Sequence, residues 1–562
     1  MTDAAFIGLC VETMFVRKSI AKNLDGKKRV YFQLAESVRI DGKPRNRVIC
    51  SLGRADDEAT QEKIKKMAES LMQACEQVQF FRLDDLKAEF GKEYGPFLVF
   101  KRLFSELGFE DILRSNFKEL QTDFDVVEAL FNMMLNRLTD PGSKRQLTLW
   151  EQEVESLKNF DLHQYYRALD YLIDHKDKIE KDVFFSQRDL FHTELDIVLF
   201  DTTSLVYYGD GNNDDEKPED EQLLDYGFSK ARRSDLKQVV VGVVMSKEGI
   251  PLCHEVWSGN TNDVKCFASV VEDLKKKYGL SRIILVGDRG MISKKNVEAL
   301  DSSGFEYILG YRMRTISKEE RAKVLSQANL RKLKNSELEF KEVTYRDQRL
   351  VVCYNAERAV KDKAHRDHDV EKLKDKLKSS KSIKQLISNP VTRKFIKINE
   401  SKTLATLDEE KIKADELYDG VFVLTTNTKL SSVQVVERYK DLWQIEAAFR
   451  SLKSELEMGP IYHFKDRRIR AHIMICFLAF CMRVALYKKL KVHFKKETFS
   501  LTALMRDLSA LKSIGLTIKD KPVRIRTELK DGASHIFRAI GMRPPNRVLH
   551  SELENVVIRH PN

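Results

Sequence analysis

Apolar residues change their spacing along this chain, and the changes divide it. The stretch RVYFQLAESVRIDGKPRNRVICSLGR near the N-terminus alternates apolar and polar positions on both sides of Asp41-Gly42. That pattern predicts two β-strands around a tight turn, with a charged helix following over Asp57–Val78. From about residue 95 to 190 the apolar residues recur at three and four. Helices are predicted over Phe97–Leu107 and Val126–Leu138 and, after the break at Pro141-Gly142, over Gln146–Leu157, Gln164–Asp174 and Lys176–Leu190. From residue 195 the pattern becomes β-branched. A strand over Leu195–Phe200 ends in Asp201, and strands over Gln238–Met245 and Ile250–Trp257 follow. A helix over Val264–Lys277 precedes a strand over Arg282–Gly287 that ends in Asp288. A helix over Lys294–Ser302 and a strand over Glu306–Tyr311 complete the run.

Three successive strands, then alternating helices and strands, predict an α/β domain built on a mixed sheet with flanking helices. This is the element order of a ribonuclease-H-like fold. Its next helix is delayed by more than 100 residues. The delay holds a hairpin over Glu339–Asn355 turning at Arg346-Asp347, a charged helix over Val360–Lys384 and a strand over Val421–Thr425. So long a loop is not expected to lack structure, which makes it a β-rich insertion. The expected organisation is therefore a β-hairpin unit over 1–90, a helical domain over 91–194 and a ribonuclease-H-like domain over 195–312 and 426–480. That domain is interrupted by an inserted subdomain over 313–425 and followed by a basic helical tail over 481–562. The apolar segment Ile473–Leu486 contains Arg483 and is shorter than a bilayer span, so a buried helix is expected rather than a membrane segment.

Charge alters this picture more than composition does. The chain has 97 Lys and Arg against 86 Asp and Glu, a net charge of +11. Residues 461–562 alone hold 21 Lys/Arg against 8 Asp/Glu. A basic segment fits a polyanionic partner, most simply nucleic acid. The opposite sign is concentrated in Asp210–Glu221, seven acids in twelve residues. The eight cysteines form no CxxC pair and no zinc-spaced cluster, which suits reduced thiols in the cytoplasm. The N-terminus shows no charged region leading into a long apolar run, as a signal peptide would.

The densest chemistry lies in YKDLWQIEAAFRSLK, Tyr439–Lys453, expected as one helix. Glu446 lies seven residues from both Tyr439 and Lys453, and Arg450 four past Glu446, so all four share one helical stripe. A carboxylate beside cations suits metal-assisted chemistry on phosphate, but one carboxylate cannot hold a magnesium ion alone. Asp201 and Asp288, each closing an apolar strand, converge at one edge of the sheet and supply partners. Two-metal phosphoryl transfer needs ions roughly 3.5–4 Å apart held by hard oxygen ligands.

FDTTS at Phe200–Ser204, VGDRGM at Val286–Met291 and the Tyr, Glu and Lys spacing of Tyr439–Lys453 together resemble the signature regions of DDE transposases. They resemble specifically the insertion-sequence-four family, whose third region carries a Tyr-Arg-Glu-Lys signature. GFSKARRSDLKQVVVGVV (Gly227–Val244), GIPLCHEVWSGNTND (Gly249–Asp263) and RRIRAHIMICFLAF support the likeness. This chain departs at Leu442, where the signature has arginine. The family also inserts a β-rich subdomain before its glutamate.

The resemblance implies a nucleoid-associated cytoplasmic enzyme acting as a homodimer on paired ends. It would bind the terminal inverted repeats of a mobile element and target double-stranded DNA, cleaving and transferring strands. It further implies Asp201, Asp288 and Glu446 as catalytic ligands of two Mg²⁺ ions, with Mn²⁺ able to substitute. Tyr439, Arg450 and Lys453 would hold phosphates, and Arg289 is a candidate to contact DNA or to pair with an acid. Trp257 is a candidate for a flipped base, weighed against simple core packing. His254 and His472 read as core histidines. A metal nuclease without strand transfer and an inactive DNA-binding derivative are the alternative functions.

Overall fold

The computed structural model describes residues 14–22, 26, 28–40, 43–77, 86–190, 197–209, 222–228, 233–278, 283–291, 293–333, 336–379, 394–398, 405–495, 497–518 and 521–551. Two compact units are distinguished: 1–90 with 514–525 and 548–562, and 91–513 with 526–547.

In the first unit, β1 (Met14–Lys22), β2 (Lys28–Ile40) and β3 (Lys43–Arg54) form an antiparallel sheet. β1 was not predicted: its apolar residues alternate, but its register of Met14 against Glu36 through Lys22 against Lys28 is set by a strand not yet formed in a reading of local sequence. The Asp41-Gly42 turn between β2 and β3 lies outside the described residues. The predicted charged helix spans Glu58–Gln77, and β4 is Leu86–Ala88.

The second unit opens with β5 (Lys92–Glu93) and six helices: Gly95–Glu106, Phe109–Phe117, Val126–Thr139, Lys144–Trp150, Leu162–Asp174 and Lys176–Leu190. Their starts are encoded locally. Asp125 accepts hydrogen bonds from the Val127 and Glu128 amides, and Ser143 with Gln146 forms a capping box. Val126–Thr139 is buried on almost every side, and its buried Asn132, Asn136 and Arg137 donate to the backbone carbonyls of Lys158, Asp140 and Glu457.

The main sheet has nine strands: β6 (Ile197–Val206), β7 (Gln238–Ser246), β8 (Pro251–Ser258), β9 (Ile284–Gly287), β10 (Glu306–Gly310), β11 (Arg331–Lys332), β12 (Leu338–Tyr345), β13 (Gln348–Asn355) and β16 (Val421–Thr426). Their order is β11-β12-β13-β16-β10-β9-β6-β7-β8. β6, β9 and β10 are parallel, and the remaining pairs are antiparallel. The short strands β14 (Ile396–Ile398) and β15 (Ala405–Leu407) pair separately. Residues expected to form an insert thus add β11–β13 and β16 to the main sheet. Leu350, Val351, Val352 and Cys353 are all buried, so β13 offers apolar side chains to both faces and needs a neighbour on each edge.

Side-chain alternation gives the sheet two cores. Leu199, Val241, Val243, Val286 and Ile308 face the helices Trp443–Ser454 and Asp466–Phe494. Val198, Phe200, Val244, Leu285 and Leu309 face Phe267, Val270 and Leu274 of the helix Asp263–Lys276. Asp466–Phe494 is long and apolar enough to cross a membrane, but 83% of its most apolar window is buried among these elements. The region after it is not helical throughout, as the sequence suggested. After the helix Leu501–Ser509, β17 (Lys512–Ile518) pairs through Lys512 and Ser513 with β5. Within the first unit, the rest of β17 pairs with β4, and β18 (Lys521–Arg526) with β19 (Val548–Ser551). Apolar residues alternate with polar ones in Lys512–Ile518, a strand signal that the surrounding lysines and arginines obscure.

Candidate active site

Asp201 is not at the end of its strand. It is the fifth residue of β6, paired with Val243 of β7. The strand continues because Thr202, Thr203, Ser204 and Leu205 are buried and β7 supplies hydrogen bonds along their full length. On the other edge the parallel partner β9 stops at Gly287, with Leu199 beside Val286. Asp201 lies two residues beyond the last β6 residue paired with β9, and Asp288 follows directly on the end of β9. The face that carries Leu199 and Val286 also carries these aspartates. Gly287 makes room here: a Cβ would lie 2.8 Å from Met291 Sδ and 3.2 Å from Leu309.

Glu446 reaches the same place from a helix. Ile445, Ala448, Phe449 and Leu452 are buried, fixing the helix Trp443–Ser454 against the sheet and leaving Glu446 exposed on its flank. Asp201, Asp288 and Glu446 line one cavity of about 340 Å³ with Tyr439, Lys440, Leu442, Trp443, Leu338, Asn355, Arg358 and Phe422. The Tyr439 hydroxyl donates to Asp288 Oδ1 at 3.4 Å, and its ring stacks on Phe422 at 5.9 Å. The Thr202 amide donates to Asp201 Oδ1 at 2.7 Å.

The stretch Tyr439–Lys453 is two helices, not one. Ser432–Lys440 ends, and Trp443–Ser454 begins after a tightening in which Leu442 N bonds Tyr439 O and Ile445 N bonds Leu442 O. Leu442, partly buried, packs against the core at this joint and also lines the cavity. Arg450, exposed, and Lys453, half-buried, continue the Glu446 stripe beyond the cavity lining. Burial raises the Asp441 carboxyl above its usual range, against the pull of Arg438.

Trp257 does not join this group. It packs edge-on to Phe200 at 6.5 Å, and both rings close over Gly242. The Arg289 side chain lies outside the described residues, as does the acidic loop Asp210–Glu221. His254 is buried, with Nδ1 2.7 Å from Glu180 Oε1, and His472 is buried, its Nε2 3.2 Å from Met458 O. Two residues of the neighbourhood were not singled out from sequence. Asp263 takes a 2.5 Å hydrogen bond from Thr202 Oγ1 on the face opposite Asp201. Arg358 enters the cavity from the helix Ala356–Ser379, and no sequence signal ties it to residues so far away.

Among the described residues, no three His, Cys, Asp or Glu side chains converge on a point that could hold a metal ion. Asp201, Asp288 and Glu446 line the cavity without closing on a shared centre. The donor set still fits hard divalent cations, because two aligned aspartates and a facing glutamate offer only oxygen ligands, and Asp288 and Glu446 are exposed toward solvent.

A model of the transposase DDE domain matches residues 192–482, and the N-terminal domain model of the IS1634 family transposases matches residues 16–84. The second match replaces the insertion-sequence-four placement drawn from the motifs, since IS1634 is a different family. No curated protein is significantly similar to the chain. The cryo-EM structure of a piggyBac transposase synaptic complex with hairpin DNA is 12% identical, covering 74% of this chain and 79% of that one, with a TM-score of 0.35. Because the DDE-domain match spans more than half of its 562 residues, the chain belongs to the DDE transposases.

Proposed function

We propose that this DNA transposase cuts the ends of its element and joins them to target DNA at the cavity shared by Asp201, Asp288 and Glu446. The observation that supports the reading is that Asp201 of β6, Asp288 just past β9 and Glu446 of the helix Trp443–Ser454 line one cavity. The order β8-β7-β6-β9-β10, antiparallel and then parallel, supports reading these five strands as ribonuclease-H-like. When bound, two Mg²⁺ ions, or Mn²⁺ in their place, supply the Lewis acidity that activates the attacking water or 3′-hydroxyl and steadies the leaving oxygen.

The chain's own residues do the positioning. Asp201 is held within the sheet and Asp288 directly follows β9, which lowers the cost of ordering them for the reaction. Tyr439 orients Asp288 through its hydroxyl. Glu446 closes from the helix, and Arg450 and Lys453 further along meet the DNA backbone, contacts that position the duplex without reading its sequence. The first unit contributes a further DNA contact, with Arg45 and Arg47 exposed on β3. The reaction takes place in the nucleoid, with a homodimer holding the two inverted repeats.

Asp201→Ala should lower Mg²⁺-dependent cutting of a terminal-repeat duplex by on the order of a thousandfold or more, with duplex binding retained. Full Mg²⁺-dependent cutting by that variant would overturn the assignment. Ends that are cut but never joined to target DNA would leave a nuclease in its place.

A further inference from the structure

The carboxylate cavity is lined by two cations that lie outside the glutamate helix, Lys440 and Arg358. Lys440 Nζ is engaged with Ser336 Oγ at 2.9 Å. Arg358 is held more loosely. Its Nε lies 3.7 Å from Asp362 Oδ2, too far for a good hydrogen bond, and its side chain is 56% exposed. Asp362 is already occupied, accepting from the Gly420 amide at 3.0 Å.

Arg358 also lines a second cavity, of about 740 Å³, beside the helix Ala356–Ser379. Two of the four carboxylates lining this larger cavity are firmly matched from within. Asp419 is paired with Arg366, and Asp415 with Lys394 at 2.6 Å and Arg314 at 3.7 Å. Arg312 ties the two cavities together: its guanidinium donates to Gly290 O at 3.2 Å, two residues beyond Asp288. Arg358 therefore borders both the carboxylate cavity and a roomier one that Arg312 and Arg314 also line.

We propose that Arg358 grips a phosphate of the DNA strand as it leaves the carboxylate cavity, and that the strand runs on through the larger cavity past Arg312 and Arg314. The planar guanidinium suits this place because it can bond two phosphate oxygens at once, which a lysine cannot. A strand with one negative charge per nucleotide also supplies an anion for Arg358, whose contact with Asp362 is long, whereas a small neutral ligand would not. The inference deepens the proposed function and rests on it.

The test uses the full chain and a terminal-repeat duplex carrying single neutral methylphosphonates, moved one position at a time away from the scissile bond. In the wild type, one position near the cut should slow cleavage on the order of 10- to 100-fold, the worth of a charged hydrogen bond. Arg358→Ala should be slowed to a similar extent on unmodified DNA and be indifferent to neutralisation at that same position. It should remain sensitive at the others, and Arg358→Lys should recover part of the rate. The inference is overturned if Arg358→Ala cuts at the wild-type rate, or if it keeps the wild-type response at every position. It is equally overturned if no methylphosphonate slows the wild type, a result that does not depend on how any variant folds. Asp201→Ala serves as the control: if it too cuts normally, the active-site reading fails, whereas an inactive Asp201→Ala beside a fully active Arg358→Ala removes only the role of Arg358.

Discussion

Lys144 shows how burial sets the chemistry of single residues in this protein. It is 4% exposed beside Arg137, with His463, His472 and Cys476 as its other titratable neighbours and no carboxylate among them. Burial first, and the Arg137 charge second, bring its ammonium down to about 7. In the unfolded chain the same group titrates near its ordinary value of about 10.4. Between those values the unfolded state binds more protons, so stability rises with pH. Denaturation of wild type and Lys144→Met should show the wild type gaining on the variant between about pH 7 and 9, and a difference that does not change with pH would contradict this. Trp257 makes the complementary point. Its place beside Phe200 was legible in sequence as core packing, the bland alternative to a base-stacking role. Gly242→Ala would bring a methyl within 2.7 Å of the Trp257 ring and 2.8 Å of Phe200, and should destabilise by about 1–3 kcal/mol, read as a lowered Tm. An unchanged Tm would mean that the two rings yield freely.

At the scale of elements, strands were more legible than joints. β7, β8, β9 and β10 fall within a residue or two of their expected bounds, because buried β-branched runs have few alternatives. The break at Asp441–Leu442 was not legible, because it depends on Leu442 finding a core pocket rather than on any local breaker. As a result Tyr439 and Glu446 line the cavity from two helices rather than from one stripe. The hairpin β12–β13 was legible down to its turn. Arg346 and Asp347 have φ values of 48° and 61°, a left-handed pair that Asn-Gly fills with less strain. Replacing Arg346-Asp347 by Asn-Gly should stabilise the protein by about 0.5–1 kcal/mol in urea denaturation, and a loss of stability would show that the arginine, whose guanidinium lies 5.1 Å from the Tyr345 ring, matters more than the backbone.

For the whole molecule, the sequence indicated the carboxylates and their order but not how the long intervening segment is spent. The hairpin β12–β13 could be read locally, but nothing local says which strand its outer edge pairs with. Only the two-sided burial of β13 and β16 shows that they extend the main sheet, and this is what brings Arg358 and Asn355 to the carboxylate cavity. The basic C-terminal charge was legible as a sum, while the helix Asp466–Phe494 that begins it proves to be a core element that no truncation can remove cleanly. The central claim is that Asp201, Asp288 and Glu446 form one metal centre, and it can be tested without knowing the DNA sequence. Fe²⁺ is loaded in place of Mg²⁺ and allowed to generate hydroxyl radicals with ascorbate and peroxide, and the polypeptide is mapped for cuts. Cuts clustered near residues 201, 288 and 446, all suppressed by excess Mg²⁺ and by Asp201→Ala, are the expected result. Cuts that cluster elsewhere, or that persist in Asp201→Ala, would contradict it.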